Sequence, residues 1–90
     1  MTKKEKVTRV IDGDTFQTAS RKYSVRLANV NAPEKGEPGA AKAKQELANL
    51  IQGQQVQIDT VARDTYGRTV AKVKVGGKSV NTAMNRKLKK

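Results

Sequence analysis

The sequence predicts an α+β fold, mainly β, in which five short strands close into a small barrel. A helix is predicted after the third strand and a short helix at the C-terminus. Two observations lead to this prediction. Apolar residues alternate with polar ones in several short stretches bounded by Gly, Asp or Pro, which is typical of half-buried strands. Two other stretches repeat their apolar residues at helical spacing instead.

The first third of the chain is predicted to hold three strands, at residues 7–11, 15–18 and about 23–27. Between the first two, Asp12-Gly13-Asp14 has the composition of a tight turn, so these strands should form a hairpin. In the third, Tyr23, Val25 and Leu27 alternate with Ser24, Arg26 and Ala28. Tyr23, Val25 and Leu27 should therefore face the core, and Arg26 should point away from it.

The clearest helix is predicted over residues 40–52. Its apolar positions recur at i, i+4, i+7 and i+8 and are Ala43, Leu47, Leu50 and Ile51. Gly53 is expected to end the helix, because glycine adopts the left-handed backbone conformation common after a helix C-terminus. The residues between Asn31 and Gly39 are rich in Gly and Pro and should form a loop.

The remaining third should supply two strands and a helix. Alternating apolar residues mark strands at Val56 and Ile58 and at residues 71–75, and the second of these should end at Gly76-Gly77. A short helix should begin near Ser79, a residue favoured at helix N-caps. The order β-β-β-α-β-β-α suits an OB-fold barrel. We expect a single domain at residues 7–90, preceded by a disordered basic arm at residues 1–6.

The amino-acid composition limits the partners, catalytic groups and metal ligands that are possible. The 90 residues carry 19 Lys and Arg against 8 Asp and Glu, a formal charge of +11, so a polyanionic partner is expected, with nucleic acid as the first candidate. An acidic protein is the alternative partner. The chain has neither Cys nor His, which excludes disulfides, thiolate chemistry and imidazole catalysis. Any metal must bind oxygen ligands, which favours Ca²⁺ or Mg²⁺.

The sequence says less about the location and oligomeric state of the protein. No apolar run is long enough to span a membrane and no signal peptide opens the chain. We therefore expect no membrane association. We also expect a monomer. A secreted protein whose leader has been removed and a cytoplasmic protein are both compatible with this sequence.

Three short segments hold the candidate chemistry: Asp12-Gly13-Asp14-Thr15, residues 25–34, and Asp64-Thr65-Tyr66-Gly67-Arg68. They supply acidic oxygens for a cation, an acid that could act as a base, and two arginines that could grip a phosphate. This is a minimal set for metal-assisted phosphodiester cleavage. Taken singly, each segment is also compatible with an ordinary turn or a solvated surface.

In their order and spacing, these segments resemble those of the staphylococcal nuclease-like (thermonuclease) family, and the resemblance runs from about Val7 to about Met84. It implies an OB-fold and hydrolysis of DNA or RNA, usually with calcium. It also implies that the catalytic residues are Arg26, Glu34 and Arg68. Glu34 would activate water, and the two guanidinium groups would stabilise the extra charge of a phosphorane-like transition state.

The resemblance further implies a calcium site formed by Asp14, Asn31 and the backbone of Ala32. From its place in the same turn as Asp14, Asp12 could orient the ligands. Asn31 departs from the family, which usually has an aspartate there. A neutral amide oxygen should bind calcium more weakly, because affinity depends on ligand charge. The chain also ends at Lys90, before a segment that family members usually carry. Both departures lead us to expect weakened activity.

Tyr66 and Lys72 are the candidate substrate-binding residues. Tyr66 could stack on a base, and Lys72 could extend a groove for the nucleic acid backbone. A single-stranded substrate is preferred in this interpretation. The alternative function is a non-catalytic nucleic-acid-binding OB-fold module whose metal site is degraded.

Overall fold

The computed structural model describes residues 4–88 of the chain. It is mainly β with two helices, as predicted, in the following order: β1 Lys4–Asp12, β2 Thr15–Thr18, β3 Val25–Leu27, α1 Ala40–Ile51, β4 Gln55–Arg63, β5 Thr69–Val75, β6 Lys78–Ser79 and α2 Val80–Leu88. No helix among these residues has the length and apolar character needed to cross a membrane.

The strands form one six-stranded sheet in the order β3-β2-β1-β4-β5-β6. Neighbours in this order pair antiparallel. In addition β3 pairs with β5 in parallel, placing Val25 opposite Thr69 and Leu27 opposite Ala71. Five strands are therefore connected in a closed circuit of pairings, and β6 lies outside it.

One hydrophobic core lies between the strands and the two helices. Helix α1 packs against β1, while α2 packs against β5 and α1. The largest fully buried side chains include Phe16, Leu27, Leu47, Ile51 and Met84. The periodicities explain this placement, since α1 buries positions i, i+4 and i+8 and β5 buries alternate residues. At the N-terminus of α2, the Ser79 hydroxyl accepts a hydrogen bond from the Thr82 N–H at 3.2 Å, as expected of an N-cap.

Two local predictions are wrong, and one short strand was missed. Residues 4–6, predicted to belong to a disordered arm, lie in β1 and pair with β4 (residues 1–3 of that arm are outside the described residues). Tyr23 was predicted to face the core but precedes β3 and is 51% exposed. The two residues of β6 were not predicted as a strand. They pair with the end of β5 across the Gly76-Gly77 turn.

A polar cluster around Glu5 joins β1 to the segment after β2. The Glu5 carboxylate accepts hydrogen bonds from Thr18, Ser20 and Arg21 at 2.7–3.0 Å. Arg21 also donates to the Thr69 hydroxyl at 3.2 Å. Desolvation by partial burial acts to raise the pKa of Glu5, but the hydrogen bonds and the Arg21 charge outweigh it and hold the pKa below the ordinary value of 4.5.

This cluster predicts part of the acid sensitivity. Because Glu5 has the lower pKa in the folded state, the unfolded chain binds more protons. The stability that Glu5 contributes is therefore fully present above pH 4.5 and is lost as the pH falls below that value. In Glu5→Gln the free energy of unfolding should therefore fall less steeply than in the parent between pH about 5 and about 3. Urea titrations across this range measure it, with Asp59→Asn as a surface control. Equal slopes for parent and Glu5→Gln would contradict the prediction.

Candidate active site

One cavity of about 370 Å³ gathers most of the predicted site residues. Six of the eight line it, from the β1–β2 turn, from β3 and the loop that follows, and from the β4–β5 turn. The full lining is Asp12, Asp14, Arg26, Asn31, Ala32, Pro33, Glu34, Lys35 and Arg68. Segments far apart in the sequence thus meet at one polar depression.

The Asp14 carboxylate is held from two sides of this cavity. Its Oδ1 accepts a hydrogen bond from the Thr15 hydroxyl at 2.9 Å, and its Oδ2 accepts one from the Ala32 N–H at 3.3 Å. The Arg26 guanidinium lies 3.6 Å from the same Oδ2. The side chain of Asp14 is only 13% exposed, so its orientation is set by these contacts.

Gly13 allows this turn to lie directly on helix α1. A Cβ at Gly13 would come within 2.6 Å of the Ala43 Cβ, 2.8 Å of the Ala32 Cβ and 3.1 Å of the Ala43 backbone carbon. Real Cβ atoms do not approach other atoms so closely, and the backbone cannot move aside cheaply. Glycine is therefore required here for close approach.

Arg26 is fixed by the chain that follows β3. Its Nη1 donates to the Leu27 carbonyl at 3.3 Å, and its Nη2 donates to the Val30 carbonyl and to Asn31 Oδ1, both at 3.2 Å. Since these acceptors lie within five residues of Arg26, the loop folds back around its guanidinium group. The group is thereby pre-oriented beside Asp14 at the cavity.

Arg68 is positioned by Asp64 within the β4–β5 turn. Asp64 Oδ1 accepts the backbone N–H groups of Tyr66 at 3.0 Å and Arg68 at 2.9 Å, and Asp64 Oδ2 accepts from Arg68 Nε. Desolvation acts to raise the pKa of Asp64, but these bonds and the Arg68 charge lower it below 3.8. Because the side-chain contact uses Nε, the terminal nitrogens of Arg68 remain for a ligand in the cavity.

Glu34 lies in the exposed loop between β3 and α1. Its N–H donates to Glu37 Oε1 at 2.6 Å, and the Glu37 N–H donates to the Glu34 carbonyl at 2.9 Å. This reciprocal pair holds the backbone at Glu34, while its side chain lines the cavity and is open to water. The position is compatible with a group that activates water.

Oxygen donors suitable for a hard cation also line this cavity. Asp14, Asn31 and Ala32 line the cavity and would supply a carboxylate, an amide and a backbone carbonyl oxygen, and oxygen is the ligand type that Ca²⁺ takes. Among residues 4–88, however, no group of three or more His, Cys, Asp or Glu is placed to hold a metal ion. The donor set fits calcium in type but brings little negative charge, and Arg26 already donates to Asn31 Oδ1.

The two predicted substrate-binding residues lie outside this cavity lining. Tyr66 is 79% exposed on the β4–β5 turn, with the Arg68 guanidinium carbon 5.7 Å from its ring centroid. Lys72 is exposed on β5, opposite Asp59 of β4. Neither residue is within the cavity that holds the arginines, although Tyr66 borders it along the chain.

Sequence reasoning missed Asn81, which anchors helix α2 beneath the site. Its buried side chain accepts from the Val73 N–H at 2.8 Å and donates to the carbonyls of Ala28 at 2.8 Å and Ala71 at 3.1 Å. Ala28 leads into the loop that carries the cavity residues. The only sequence signal was an Asn beside the apolar positions of a helix, which does not reveal three backbone partners.

Comparison with known proteins identifies the family. A family model described as "Staphylococcal nuclease homologue" matches residues 24–87 of the chain. The chain belongs to the staphylococcal nuclease family. The family match includes the segments that carry Arg26, Glu34 and Arg68, whereas the turn with Asp14 precedes it.

The chain is also similar in sequence to individual proteins of known name. The chain is 41% identical over 69 residues to a micrococcal nuclease of Shigella flexneri, covering 74% of the chain and 40% of that protein. It is 34% identical over 84 residues to an uncharacterized endonuclease of Escherichia coli, covering 90% of the chain and 55% of that protein. A similar endonuclease of Haemophilus influenzae is 32% identical over 82 residues. The chain spans about half the length of these curated relatives.

Proposed function

We propose that this protein is a nuclease that hydrolyses phosphodiester bonds of DNA or RNA. The observation that carries the proposal is the meeting of Arg26 and Glu34, from one segment, with Arg68, from a distant one, at a single cavity. A module that only binds nucleic acid has no need of an acid facing a polyanion. Family membership supports the same conclusion.

The two arginines would hold the scissile phosphate. Guanidinium groups match phosphate oxygens in pairs of parallel hydrogen bonds. Arg26 is oriented by Val30 and Asn31, and Arg68 is oriented by Asp64, so neither must be reorganised when charge develops on the phosphate. Stabilisation of the transition state would come from this pre-orientation.

Glu34 would take a proton from the attacking water. Its side chain is exposed in the same cavity, so water has direct access to it. A carboxylate within hydrogen-bond reach of a water can accept its proton as a general base. The reciprocal hydrogen bonds between Glu34 and Glu37 would hold the backbone there.

Asp14, Asn31 and the Ala32 carbonyl would hold a calcium ion. When bound, the ion would supply positive charge beside the phosphate. The low charge of this donor set supports weak binding, and it also favours a second candidate function, a binding module that does not cut.

We propose further that the closed circuit β1-β2-β3-β5-β4 is the five-stranded OB-fold barrel expected from the sequence. We also propose that the substrate is single-stranded. We propose a monomer as the active form.

The proposal is tested by incubating purified protein with single-stranded DNA and RNA in the presence of Ca²⁺, with and without chelator. Cleavage that stops on chelation supports it. Binding without cleavage at any calcium concentration would overturn it in favour of the binding module.

Asn31→Asp should tighten calcium binding and raise activity at limiting calcium. It places a second carboxylate beside Asp14, which increases the charge available to a divalent cation. Without metal, repulsion between the two acids should lower stability slightly, and calcium should restore it. Calorimetric titration with calcium, together with melting with and without chelator, measures both effects.

The matched control is Asn49→Asp, which adds the same charge on the exposed side of α1. Calcium affinity should not change in this variant. If Asn31→Asp binds calcium no better than the parent, Asn31 does not face a metal site. The new carboxylate would then be paired with Arg26, whose Nη2 already contacts Asn31.

A further inference from the structure

A second depression lies on the other side of the β4–β5 turn. It measures about 210 Å³ and is lined by Arg21, Lys22, Tyr23, Arg63, Gly67 and Thr69. Gly67 lines this depression and Arg68 lines the first cavity, and consecutive Cα atoms are only about 3.8 Å apart. The two depressions are therefore neighbours, separated by the turn.

Tyr23 presents an aromatic face at this depression. Its ring atoms lie 3.9–4.0 Å from where a Cβ on Gly67 would be, so the ring rests on the turn at a position where glycine leaves room. The Thr69 N–H donates to the Ser24 carbonyl at 3.2 Å, which ties the segment beside Tyr23 to β5. Half of Tyr23 remains exposed, so the core does not account for this aromatic residue.

The charged residues that line this depression are all positive. Three of the lining residues are cationic and none is acidic. Arg21 is engaged by Glu5, at 2.9 Å, so Lys22 and Arg63, both exposed, supply the charge that faces solvent. The Lys22 ammonium lies 5.6 Å from the Tyr23 ring centroid. An aromatic face beside two cations is suited to a base and its phosphate.

We propose that this depression is a second nucleotide subsite for single-stranded nucleic acid, an inference that rests on the proposed nuclease function. A base stacks on Tyr23, and the adjoining phosphate contacts Lys22 and Arg63. The strand then crosses the turn at Gly67 and places its next phosphate between Arg26 and Arg68. The aromatic ring favours nucleic acid over an acidic protein, because an acidic peptide would use the cations alone.

The test is binding of a fluorescent single-stranded oligonucleotide, measured by anisotropy in chelator so that cleavage is suppressed. Tyr23→Leu should weaken binding about tenfold, because loss of one base–aromatic stack has an effect of this order. Tyr23→Phe should bind like the parent, since the ring is retained. For an abasic strand of equal length, Tyr23→Leu and the parent should bind equally.

Charge variants provide an independent measurement if Tyr23→Leu does not fold. Arg63→Gln should weaken binding of both the normal and the abasic strand, because it acts on phosphate. Lys78→Gln is the matched control, since β6 lies at the opposite end of β5, about 20 Å from Thr69. Equal loss in Arg63→Gln and Lys78→Gln would overturn the subsite, since charge alone would then explain binding.

Failure of the subsite and failure of the nuclease function are distinguishable. If Tyr23→Leu binds the normal strand as the parent does while the parent cleaves, the subsite is wrong and the function stands. The same conclusion follows if Tyr23→Leu loses affinity for normal and abasic strands alike. If the parent neither binds nor cleaves single strands, both proposals are wrong, and binding to polyglutamate instead would identify an acidic-protein partner.

Discussion

Arg68→Ala should slow phosphodiester cleavage by a factor on the order of 100 or more, the usual effect of removing one pre-oriented transition-state donor. The loss should appear in the rate constant at saturating substrate more than in binding, because the charge that Arg68 meets grows in the transition state. The structure supports a specific role, since Asp64 orients the guanidinium through Nε and its other nitrogens are available to the cavity.

Two further variants separate charge from geometry. Arg68→Lys keeps a positive charge but cannot hold Asp64 through Nε while presenting a fork to phosphate, so it should recover little activity. Arg9→Ala removes the same charge from the exposed surface of β1 and should cut at nearly the parental rate. Single-turnover rates with a labelled single strand measure all three.

Either of two results would remove Arg68 from the catalytic group. If Arg68→Ala cuts as fast as the parent, the arginine has no chemical role. If it unfolds, the contact with Asp64 is structural. Circular dichroism of the purified variant distinguishes a slow folded enzyme from an unfolded chain.

Asn81→Ala should destabilise the fold by about 2–5 kcal/mol, because buried backbone groups lose their partner. The Ala71 carbonyl keeps a hydrogen bond from the Ala28 N–H, but the Val73 N–H and the Ala28 carbonyl each lose the contact with Asn81. Asn81 is only 9% exposed, so water cannot easily replace the amide. For a domain of this size, the loss is a large part of total stability.

Asn85→Ala is the matched control for this prediction. Asn85 is the same residue type on the same helix, donates one bond to the Asn29 carbonyl at 3.1 Å, and is exposed. Its loss should cost well under half as much, because water can take its place. Urea unfolding with a common slope measures both variants, and equal destabilisation would show that Asn81 has no special role.

The helices could be predicted closely from sequence because their periodicity is local. Helix α1 was predicted to end one residue later than it does, at Gln52 instead of Ile51. The errors arose where partners distant in sequence decide the structure. No apolar pattern marks residues 4–6, yet these residues form part of β1 because they pair with β4.

In the third strand the error is the reverse, because Tyr23 was predicted as strand but lies outside it. Residues 23–27 alternate as a strand should, but strand pairing covers only residues 25–27. All three pair with β5, and Val25 and Arg26 also pair with β2. Tyr23 lies before those pairings and turns outward over Gly67 instead. Alternation therefore predicted a strand in this segment but could not set its first residue.

The candidate site shows the same contrast between residues that could be predicted and contacts that could not. Residue type and order were enough to nominate the acids and arginines that now lie around one cavity. What orients them was not visible, since the contacts of Asp64 with Arg68 and of Asn81 with Ala28 depend on how turns and helices meet. Their chemical roles remain predictions.

The close approach at Gly13 has a consequence for how the protein responds to mutation. Asp14 stands on a turn that rests on Ala43, and the face of α1 that carries Ala43 also carries Leu47 and Ile51 into the core. The position of the Asp14 carboxylate therefore depends on how helix α1 packs in the hydrophobic core. A substitution at Leu47 that shifts the helix should therefore also displace Asp14 at the cavity, although Leu47 is fully buried in the core.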